Sequence, residues 1–236
     1  MQKVSSGKAS AFVKSVLGLK PRVAVFDCDG TLWSGDAGAD FFYWEIERGL
    51  IPADVVEWAL PRYDAYERGE VDEETMCGEM VTIHKGIAEA EVRKAAAEFF
   101  TAVVSPRIFP EMRELTHCLA EAHCELWAVS STNNWVVSEG VRRFNIPPDR
   151  VLAASVACEG GIASDRLVRV PTGPKKASVI RELIKRPVDA AFGNSVHDAA
   201  MLEVARNPFV VNPNPDLAEM AEQKGWPVYR PDLTVG

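Results

Sequence analysis

Short apolar segments that end abruptly in polar residues recur along this chain, and they constrain its fold more than any other feature. They lie at 23–26, 126–129, 151–154, 190–192 and 209–211. Segments of this length and composition are typical of strands buried on both faces. Helical patterns alternate with them at 111–122, 135–144, 176–185, 198–205 and 215–224. This alternation predicts an α/β fold with a Rossmann-like parallel sheet.

Residues 36–105 follow a different pattern, because helical periodicity continues there without a convincing strand. The helical patterns fall at 37–48, 53–68, 73–84 and 89–104, and Gly49, Gly69 and Gly86 separate them. A run of helices inside an α/β alternation indicates an inserted helical subdomain. We therefore predict a basic N-terminal tail at 1–20, a core formed by 21–35 and 106–236, and an insert at 36–105.

The charge balance of the chain excludes some classes of function. The 236 residues include 26 Lys and Arg against 34 Asp and Glu, which gives a net charge of −8. Such acidity argues against a protein that binds duplex nucleic acid through a basic surface. Residues 1–22 differ, since they contain five basic residues and no acid. We expect either a solvated tail or a short first helix there.

Cysteine usage and hydropathy indicate the cellular setting. No apolar stretch approaches the ~18 residues that a membrane-spanning helix requires, so no contact with a membrane is predicted. No pair has the C-x-x-C spacing, and free thiols in a reducing compartment, the cytoplasm, are expected. The cysteines are Cys28, Cys77, Cys118, Cys124 and Cys158.

The first predicted strand ends in the sequence Asp27-Cys28-Asp29-Gly30. Residues i and i+2 of an extended chain point to the same side, so Asp27 and Asp29 can face one site. Two close carboxylates repel each other unless a cation or a shared proton lies between them, and Mg²⁺ prefers oxygen ligands of this kind. The same residues also suit an Asx turn after a strand, and both interpretations stay open on this motif alone.

Other strand ends carry groups that suit an anion. Ser130 follows an apolar strand and precedes a helix that begins near 133 or 134, where backbone N–H groups can bind an anion or the side chains can cap the helix. Lys175 and Lys176 open the next helix, although a lysine in the first turn is unfavourable for the helix dipole. This misfit favours a functional role for one of the two lysines over a solvated pair.

The strand at 190–192 is followed by a loop that contains Asn194, His197 and Asp198. Asn194 and Asp198 both offer oxygen ligands for a metal ion. Asp198 also suits the start of a helix, and His197 is expected to be an exposed or hydrogen-bonded loop residue. Because ligands bind beyond the carboxyl ends of parallel strands, we expect all these polar groups to share one site.

Four of these motifs, in this order, resemble those of the haloacid dehalogenase superfamily, in its phosphoserine-phosphatase-like branch. The matching segments are 27–31, 126–130, 176–180 and 193–198, and the segment 210–215 is also similar to members of this branch. The resemblance covers about 21–236. It implies a Rossmann-like core, and it identifies the insert at 36–105 as a small helical cap.

The resemblance also implies roles in phosphoryl transfer. Asp27 attacks phosphorus and forms an aspartyl-phosphate, while Asp29 acts first as general acid and then as general base. Ser130 and Lys176 bind the phosphoryl oxygens, and Lys176 is preferred to Lys175 because a small residue follows it. The function expected is a Mg²⁺-dependent phosphomonoesterase acting on a small phosphorylated metabolite.

Metal and substrate contacts follow from the same resemblance. It implies that Mg²⁺ binds the Asp27 carboxylate, the Asp29 carbonyl and Asn194, with Asp198 as a direct or water-mediated ligand. Asp36 and Ser131 are expected to contact the substrate. Asn194 stands where most members have Asp, and an uncharged amide is expected to weaken metal binding without removing the site.

The specificity residues of the branch are only partly present. Phosphoserine phosphatases use an acid for the substrate ammonium, which Asp36 matches, and a cap arginine for the carboxylate. The stretch 71–81 contains no Arg, and Arg62 and Arg68 precede it. The tryptophans Trp33, Trp44 and Trp58 either line a pocket for a choline-like or ethanolamine-like cation or anchor the cap on the core.

Two alternatives to a phosphatase stay open at this stage. A catalytically weakened relative that binds a phosphorylated ligand or partner is compatible with Asn194. A phosphotransferase would use the same aspartyl-phosphate. The residues name neither the individual substrate nor the oligomeric state.

Overall fold

A mostly parallel sheet forms the centre of the chain in the computed structural model, which describes residues 7–231. The seven strands found in that range are β1 (Val23–Phe26), β2 (Glu125–Asn133), β3 (Val151–Glu159), β4 (Ile162–Arg169), β5 (Val188–Gly193), β6 (Ala205–Val211) and β7 (Val228–Tyr229). Their order across the sheet is β4-β3-β2-β1-β5-β6-β7. Only β4 runs antiparallel to its neighbour. The prediction of an α/β fold with a parallel sheet is confirmed.

Helices cover the sheet and fill the segment between β1 and β2. Those within the described range are α1 (Gly7–Gly18), α2 (Ala37–Glu47), α3 (Ala53–Glu67), α4 (Glu73–Thr82), α5 (Glu89–Phe99), α6 (Pro110–Glu121), α7 (Asn134–Val141), α8 (Pro174–Leu183), α9 (Ala199–Val204) and α10 (Pro215–Lys224). Helices α2 to α5 follow one another without a strand, and we call residues 36–105 the cap. The remaining helices pack around the sheet.

Strand β1 separates two hydrophobic cores because its side chains alternate between the two faces of the sheet. Ala24 and Phe26 belong to the larger core, which continues into the cap. Val23 and Val25 belong to the smaller core beneath α8, α9 and α10. Phe26 stacks on Phe192 of β5 with ring centroids 4.4 Å apart. Burial of such a ring contributes about 2–3 kcal/mol, so this packing holds the end of β1 firmly in place.

The basic N-terminal region forms a helix where the structure describes it. Ala9, Val13 and Val16 of α1 are buried, and the helix packs against α6. Phe12 stacks on Tyr229 at 4.0 Å between ring centroids. Of the two expectations for this region, the short first helix is therefore the one observed for 7–18. The first part of the predicted tail, 1–6 with Lys3, lies outside the described residues.

A β-hairpin formed by β3 and β4 was not predicted from the sequence. Strand β3 continues beyond the predicted 151–154, turns at Gly160 and Gly161, and returns as β4. Both glycines have positive φ, 57° and 81°, which a two-residue hairpin turn requires. The Gly-Gly pair is therefore the sequence signal for this hairpin. Strand β4 is mostly exposed, so it lacks the apolar pattern by which a buried strand is recognised.

The hairpin also attaches the cap to the core. The backbone N–H groups of Gly86 and Glu89 donate to the carbonyls of Ala163 and Gly161, and Ala163 donates in return to Ile87. The lysine side chain of Lys85 pairs with Asp165 at 2.6 Å. These contacts fix the end of α4 and the start of α5 against the sheet edge, and they hold the cap above the carboxyl ends of the strands.

Two further expectations concern membrane-spanning helices and the state of the cysteines. Within residues 7–231, no helix has the combination of length and apolar character that crossing a membrane demands. All five cysteines are free thiols, as expected. Cys28 is buried, and burial raises the pKa of its thiol well above the usual range.

Candidate active site

The carboxyl ends of β1, β2 and β5 bring the predicted polar residues together. Asp27 directly follows β1, and its backbone N–H donates to Phe192 of β5 at 2.9 Å. Its carboxylate is almost fully buried and accepts a hydrogen bond from the Thr31 hydroxyl at 2.9 Å. The turn after β1 closes through the N–H groups of Thr31 and Leu32, which donate to the Cys28 carbonyl. This local structure holds Asp27 in a single orientation.

Lys176 is the centre of the charge arrangement. Its ammonium donates to Asp27 Oδ1 at 2.7 Å and to Asp198 Oδ1 at 2.6 Å. The Lys176 side chain is only 2% exposed, and Asp198 is fully buried. Buried charges of this kind are tolerated only when they are paired and hydrogen-bonded. The three groups therefore form one interdependent cluster.

The cluster holds two carboxylates against one ammonium. Burial raises the pKa of Asp27 to about 7, and the nearby Asp198 adds to this effect, while Lys176 opposes it. Burial alone would lower the pKa of Lys176, but Asp198 and Asp27 outweigh it and raise that pKa, which keeps the ammonium charged. The surplus of negative charge is of the kind that a divalent cation neutralises.

The neighbouring lysine lies elsewhere. Lys175 is about half exposed and pairs with Glu74 of the cap helix α4. Helix α8 begins at Pro174, so successive residues of its first turn point in different directions, and only Lys176 points toward the strand ends. The sequence preference for Lys176 over Lys175 thus agrees with the side chain that the structure brings to Asp27.

Asp29 lies beside Asp27, and three donors hold its carboxylate. The indole N–H of Trp33 donates to Oδ1 at 2.6 Å, and the backbone N–H of Ala37 donates to the same atom at 2.8 Å. The Thr132 hydroxyl donates to Oδ2 at 2.5 Å. Burial and the nearby Asp36 raise the pKa of Asp29 to about 6, although these hydrogen bonds oppose the rise. Asp29 is thus fixed at the cavity wall.

The tryptophans do not form the cation pocket that one sequence interpretation proposed. Trp33 is fully buried and packs edge-on against Phe100, with 5.2 Å between the ring centroids. Trp44 packs on Phe99 inside the cap, and Trp58 is exposed. None of the three lines the cavity described below. The pocket hypothesis is therefore wrong, and Trp33 and Trp44 are packing residues.

Gly30 permits a close approach between the first and fourth motifs. It adopts a φ of 72°, and a Cβ at this position would lie 1.9 Å from Nδ2 of Asn194. A side chain other than hydrogen would therefore displace Asn194 from the turn after β1. The backbone conformation and the contact both require glycine here.

The donor set fits a hard cation such as Mg²⁺. Asp27 and the carbonyl of Asp29 in the loop after β1, and Asn194 in the loop after β5, offer oxygen atoms, and oxygen is the ligand type that Mg²⁺ takes. Among the described residues, no group of three or more His, Cys, Asp or Glu side chains has the arrangement of a metal site. The three oxygen atoms named above belong to one carboxylate, one amide and one backbone carbonyl, so they do not form a group of that kind.

Asp198 has little capacity left for a metal ion. Its Oδ1 accepts from Lys176, while its Oδ2 accepts from the backbone N–H groups of Asn194 and Ser195 at 2.9 and 3.0 Å. It thereby shapes the loop that presents Asn194. The prediction that Asp198 is itself a direct or water-mediated ligand stays a prediction.

Strand β2 ends in an irregularity, and three residues with hydroxyl groups at this point line one cavity. The register with β3 shifts between Ser130 and Asn133. Such bulges reorient side chains next to functional sites. The Ser130 hydroxyl accepts from the N–H of Thr132 at 3.1 Å, and Ser130, Ser131 and Thr132 all line the cavity. Helix α7 follows directly, with Asn133 as its N-cap.

The cavity lies between the strand ends and the cap, and it has a volume of about 260 Å³. Every residue predicted for catalysis or substrate contact lines it, namely Asp27, Asp29, Asp36, Ser130, Ser131 and Lys176. Asn194 lines it as well, while Asp198 lies immediately behind Lys176. The side chain of Asp36 also caps α2 by accepting from Ala39 N–H at 2.9 Å.

Two contacts between cap and core escaped the sequence analysis. Glu73, in the first turn of α4, accepts a hydrogen bond from Ser131 at 3.0 Å and pairs with His197. Burial raises the pKa of Glu73, but His197 and the hydroxyl donors outweigh it, so the pKa lies below its ordinary value. The hydrogen bond to Glu73 raises the pKa of His197. His197 is thus a hydrogen-bonded loop residue, as expected, but its partner belongs to the cap.

The missed residues have no local signal in the sequence. Glu73 lies in an ordinary acidic first turn, and Thr132 resembles a simple capping residue. Their contacts join positions far apart in the chain, 58 residues for Glu73 and Ser131 and 103 for Thr132 and Asp29. Only the arrangement of cap and core brings them together.

The family model of haloacid dehalogenase-like hydrolases matches residues 24–203, which is most of the chain. The chain belongs to this family. The predicted resemblance to the haloacid dehalogenase superfamily is therefore confirmed, and with it the class of enzyme, a hydrolase.

Curated relatives of this haloacid dehalogenase-like hydrolase include two proteins with phosphatase names. A histidinol-phosphatase of Neisseria meningitidis is 22% identical over 215 residues, which cover 87% of this chain and 97% of that protein. The phosphoserine phosphatase SerB1 of Mycobacterium tuberculosis is 25% identical over 150 residues, 61% of this chain. The match spans 48%, about half, of the length of SerB1. These names support phosphatase activity.

Solved structures share the fold. A protein of unknown function from Bordetella pertussis has a TM-score of 0.76 at 23% identity, covering 88% of this chain and 97% of that one. A phosphoserine phosphatase with a phospho-aspartyl intermediate analogue has a TM-score of 0.60 at 17% identity, covering 90% and 95%. At these identities the likeness concerns the fold, which this chain shares with both proteins.

Proposed function

We propose that this hydrolase is a Mg²⁺-dependent phosphomonoesterase that acts on a small phosphorylated metabolite through an aspartyl-phosphate on Asp27. The observation that carries the proposal is the Lys176 ammonium, which contacts Asp27 and Asp198 at the closed end of a cavity about 260 Å³ in volume. A nucleophilic carboxylate beside a buried cation suits attack on a phosphoryl group. The free thiols favour the cytoplasm as its location.

The first step forms a bond between a carboxylate oxygen of Asp27 and phosphorus, while the bond from phosphorus to the ester oxygen breaks. Asp29 donates its proton to the leaving oxygen, which departs as an alcohol. Asp29 suits this role because Trp33, Ala37 and Thr132 hold its carboxyl group at the cavity wall.

The second step hydrolyses the intermediate. Asp29, now ionised, takes a proton from water, and the water oxygen attacks phosphorus. The bond between phosphorus and Asp27 breaks, so the enzyme regains its carboxylate and inorganic phosphate leaves. Both steps use the same two carboxylates, which is why a D-x-D arrangement suffices.

Two side chains would bind the phosphoryl oxygens. Lys176 neutralises negative charge in the transition state, and the Ser130 hydroxyl donates a hydrogen bond at the N-terminal side of α7. The cap, attached to the core through Glu73 and the β3–β4 hairpin, keeps bulk water away from the aspartyl-phosphate. The side chain of Asp198 positions Lys176 and the loop that carries Asn194.

Asp27, Asn194 and the carbonyl of Asp29 would hold the magnesium ion. When bound, Mg²⁺ supplies positive charge that screens the carboxylates and the phosphoryl oxygens from each other. Asn194 would contribute a neutral ligand, so this site carries less negative charge than one with Asp at that position.

The direct test is phosphate release from p-nitrophenyl phosphate with Mg²⁺ and after its removal by EDTA. We expect turnover that depends on Mg²⁺ and that the Asp27→Asn variant lacks. Histidinol phosphate and phosphoserine, the substrates that the relatives' names indicate, belong in the same assay. Absence of release from every ester at saturating Mg²⁺ would overturn the proposal in favour of a ligand-binding relative. Transfer to added alcohol acceptors in preference to water would instead indicate a phosphotransferase.

A further inference from the structure

The cavity has two chemically different ends. The phosphate end contains Asp27, Ser130 and Lys176, as described above. The end under the cap is lined mainly by cap residues, two of which border the phosphate end, since Asp36 lies near Asp29 and Glu73 contacts Ser131. We call this end the head-group subsite, and its polar members are Asp36, Tyr63, Tyr66, Glu73 and Cys77. A small phosphate ester bound at Lys176 would place its remaining atoms there.

The head-group subsite carries unbalanced negative charge. Glu73 is balanced by His197, with which it pairs. Asp36 uses Oδ1 to cap α2, and no cationic side chain among residues 7–231 forms an ion pair with it. Asp40 nearby is neutralised by Arg107 at 2.5 Å. Asp36 is therefore the carboxylate of this subsite that has no counter-ion among the described residues.

Tyr63 provides a second and independent observation. It is only 5% exposed, and its ring stacks on Phe42 with 5.1 Å between centroids. Tyr63 lines the cavity, and its hydroxyl forms no hydrogen bond with any described residue. A phenol in a cavity wall without a protein partner is available to a ligand.

Tyr66 extends the same surface. It lies 5.8 Å from Tyr63 between ring centroids, and it also lines the cavity. Burial, with Cys77, Glu73 and Asp36 nearby, raises the pKa of Tyr66 to about 12. Burial and the proximity of Asp36 raise the pKa of Tyr63 as well. Burial is the larger cause of both pKa shifts, and the nearby acids add a negative potential of the kind that attracts a cation.

Among residues 7–231, the basic groups near this end are already paired, and His197 pairs with Glu73. Arg62 forms a two-point ion pair with Glu79 at 2.8 and 3.0 Å, and Arg68 forms one with Glu70 at the same distances. Neither arginine lines the cavity. A substrate carboxylate placed here would meet Asp36 without a compensating guanidinium.

We propose that Tyr63 and Tyr66, together with Asp36, bind the positively charged head group of a phosphomonoester that carries no carboxylate. This inference rests on the proposed phosphatase function and names its substrate class. The ammonium or other cationic group would donate to Asp36 and to the Tyr63 hydroxyl, while the phosphate lies at Lys176. The specificity of the enzyme would thus come from charge at the cap end of the cavity.

Matched esters test this assignment in the full-length enzyme with Mg²⁺. Phosphoethanolamine is compared with propyl phosphate, in which a methyl group replaces the ammonium, and phosphocholine with its neutral carbon isostere. We expect kcat/KM to favour each cationic ester by about tenfold. Phosphoserine should be used about tenfold less well than phosphoethanolamine, because it adds only a carboxylate.

Variants then assign the preference to residues. Asp36→Asn keeps the helix cap but removes the charge, and Tyr63→Phe removes one hydroxyl. Both should reduce the preference for the cationic ester, measured as the ratio of its kcat/KM to that of its neutral isostere, about fivefold and mainly through KM. Asp54→Asn and Tyr43→Phe are matched controls outside the cavity and should leave the preference unchanged.

The outcomes separate this inference from the proposed function. Turnover of p-nitrophenyl phosphate without a preference for the cationic esters would overturn the head-group assignment alone. The same holds if phosphoserine is the better substrate, or if neither variant changes the preference. No turnover of any ester would overturn both proposals.

Discussion

Lys176 Nζ lies 2.7 Å from Oδ1 of Asp27, although 149 positions separate the two residues in the chain. The contact joins the end of β1 to the first turn of α8, and it buries both charges. Asp198 accepts the second hydrogen bond of the same ammonium at 2.6 Å. The proposed chemistry depends on this cluster, and so does part of the stability of the core.

Replacement of Lys176 by Met should therefore affect both activity and stability. The ammonium is lost, and Asp27 and Asp198 stay buried without a counter-charge. We expect kcat/KM for p-nitrophenyl phosphate to fall by about 10²- to 10³-fold and the free energy of unfolding by about 3 kcal/mol. Enzyme assays and urea denaturation measure the two effects.

The matched control is Lys175→Met. This lysine is half exposed and pairs with Glu74, so the change should cost less than about 1 kcal/mol and leave turnover within a few-fold. Loss of turnover in Lys175→Met with activity retained in Lys176→Met would reverse the assignment of the two lysines.

Gly30→Ala should disturb the contact between the first and fourth motifs. The new Cβ would lie 1.9 Å from Asn194 Nδ2, and the residue has a φ of 72°. We expect a loss of about 1–2 kcal/mol from the backbone conformation and a further 1–3 kcal/mol from the collision. Gly49→Ala is the control, because its φ is 66° and no atom lies within 4 Å of its Cβ. Equal destabilisation of the two variants would show that Asn194 is not held against Gly30.

Asn194→Asp should strengthen metal binding. The change adds a negative charge beside Asp27, and we expect the Mg²⁺ concentration for half-maximal activity to fall by about tenfold. The added carboxylate should also lower the melting temperature of the metal-free protein and increase the rise that Mg²⁺ produces. Asn145→Asp adds the same charge on an exposed turn and should change neither the Mg²⁺ requirement nor the rise in melting temperature that Mg²⁺ produces. An unchanged or higher Mg²⁺ requirement in Asn194→Asp would argue against Asn194 as a ligand.

Thr132→Val should slow catalysis through Asp29. The Thr132 hydroxyl donates to Asp29 Oδ2 at 2.5 Å, and valine keeps the shape but not the donor. We expect kcat to fall about tenfold with KM changed less than about threefold, since Asp29 acts on the leaving group. Thr82→Val, which removes a helix hydroxyl bound to the Glu79 carbonyl, is the control. A change confined to KM would place Thr132 in substrate binding instead.

The local sequence carries most of the information about the core of the fold. Strand β1 has four consecutive buried apolar residues followed by Asp27, a pattern that marks both the strand and its polar end. The ends of β2 and β5 follow the same rule. Because parallel strands share one carboxyl edge, the meeting of Asp27, Ser130 and Asn194 could be predicted without coordinates.

Contacts between distant segments could not be predicted in this way. Glu73 reaches Ser131 and His197 only because the cap lies over the strand ends, and helical periodicity does not encode that placement. The three tryptophans show that a pattern in the sequence can also lead to a wrong prediction. Their clustering in sequence suggested a cation pocket, whereas Trp33 is buried against Phe100 and the cavity is lined by Tyr63 and Tyr66.

The most direct test of the account is the identity of the phosphorylated residue during turnover. The enzyme is mixed with p-nitrophenyl phosphate and Mg²⁺, quenched rapidly in acid, and digested for peptide mass spectrometry. The account predicts one added phosphoryl group on the peptide that contains Asp27, and none in the Asp27→Asn variant. A phosphoryl group on Ser130 or His197, or steady turnover by Asp27→Asn, would contradict it.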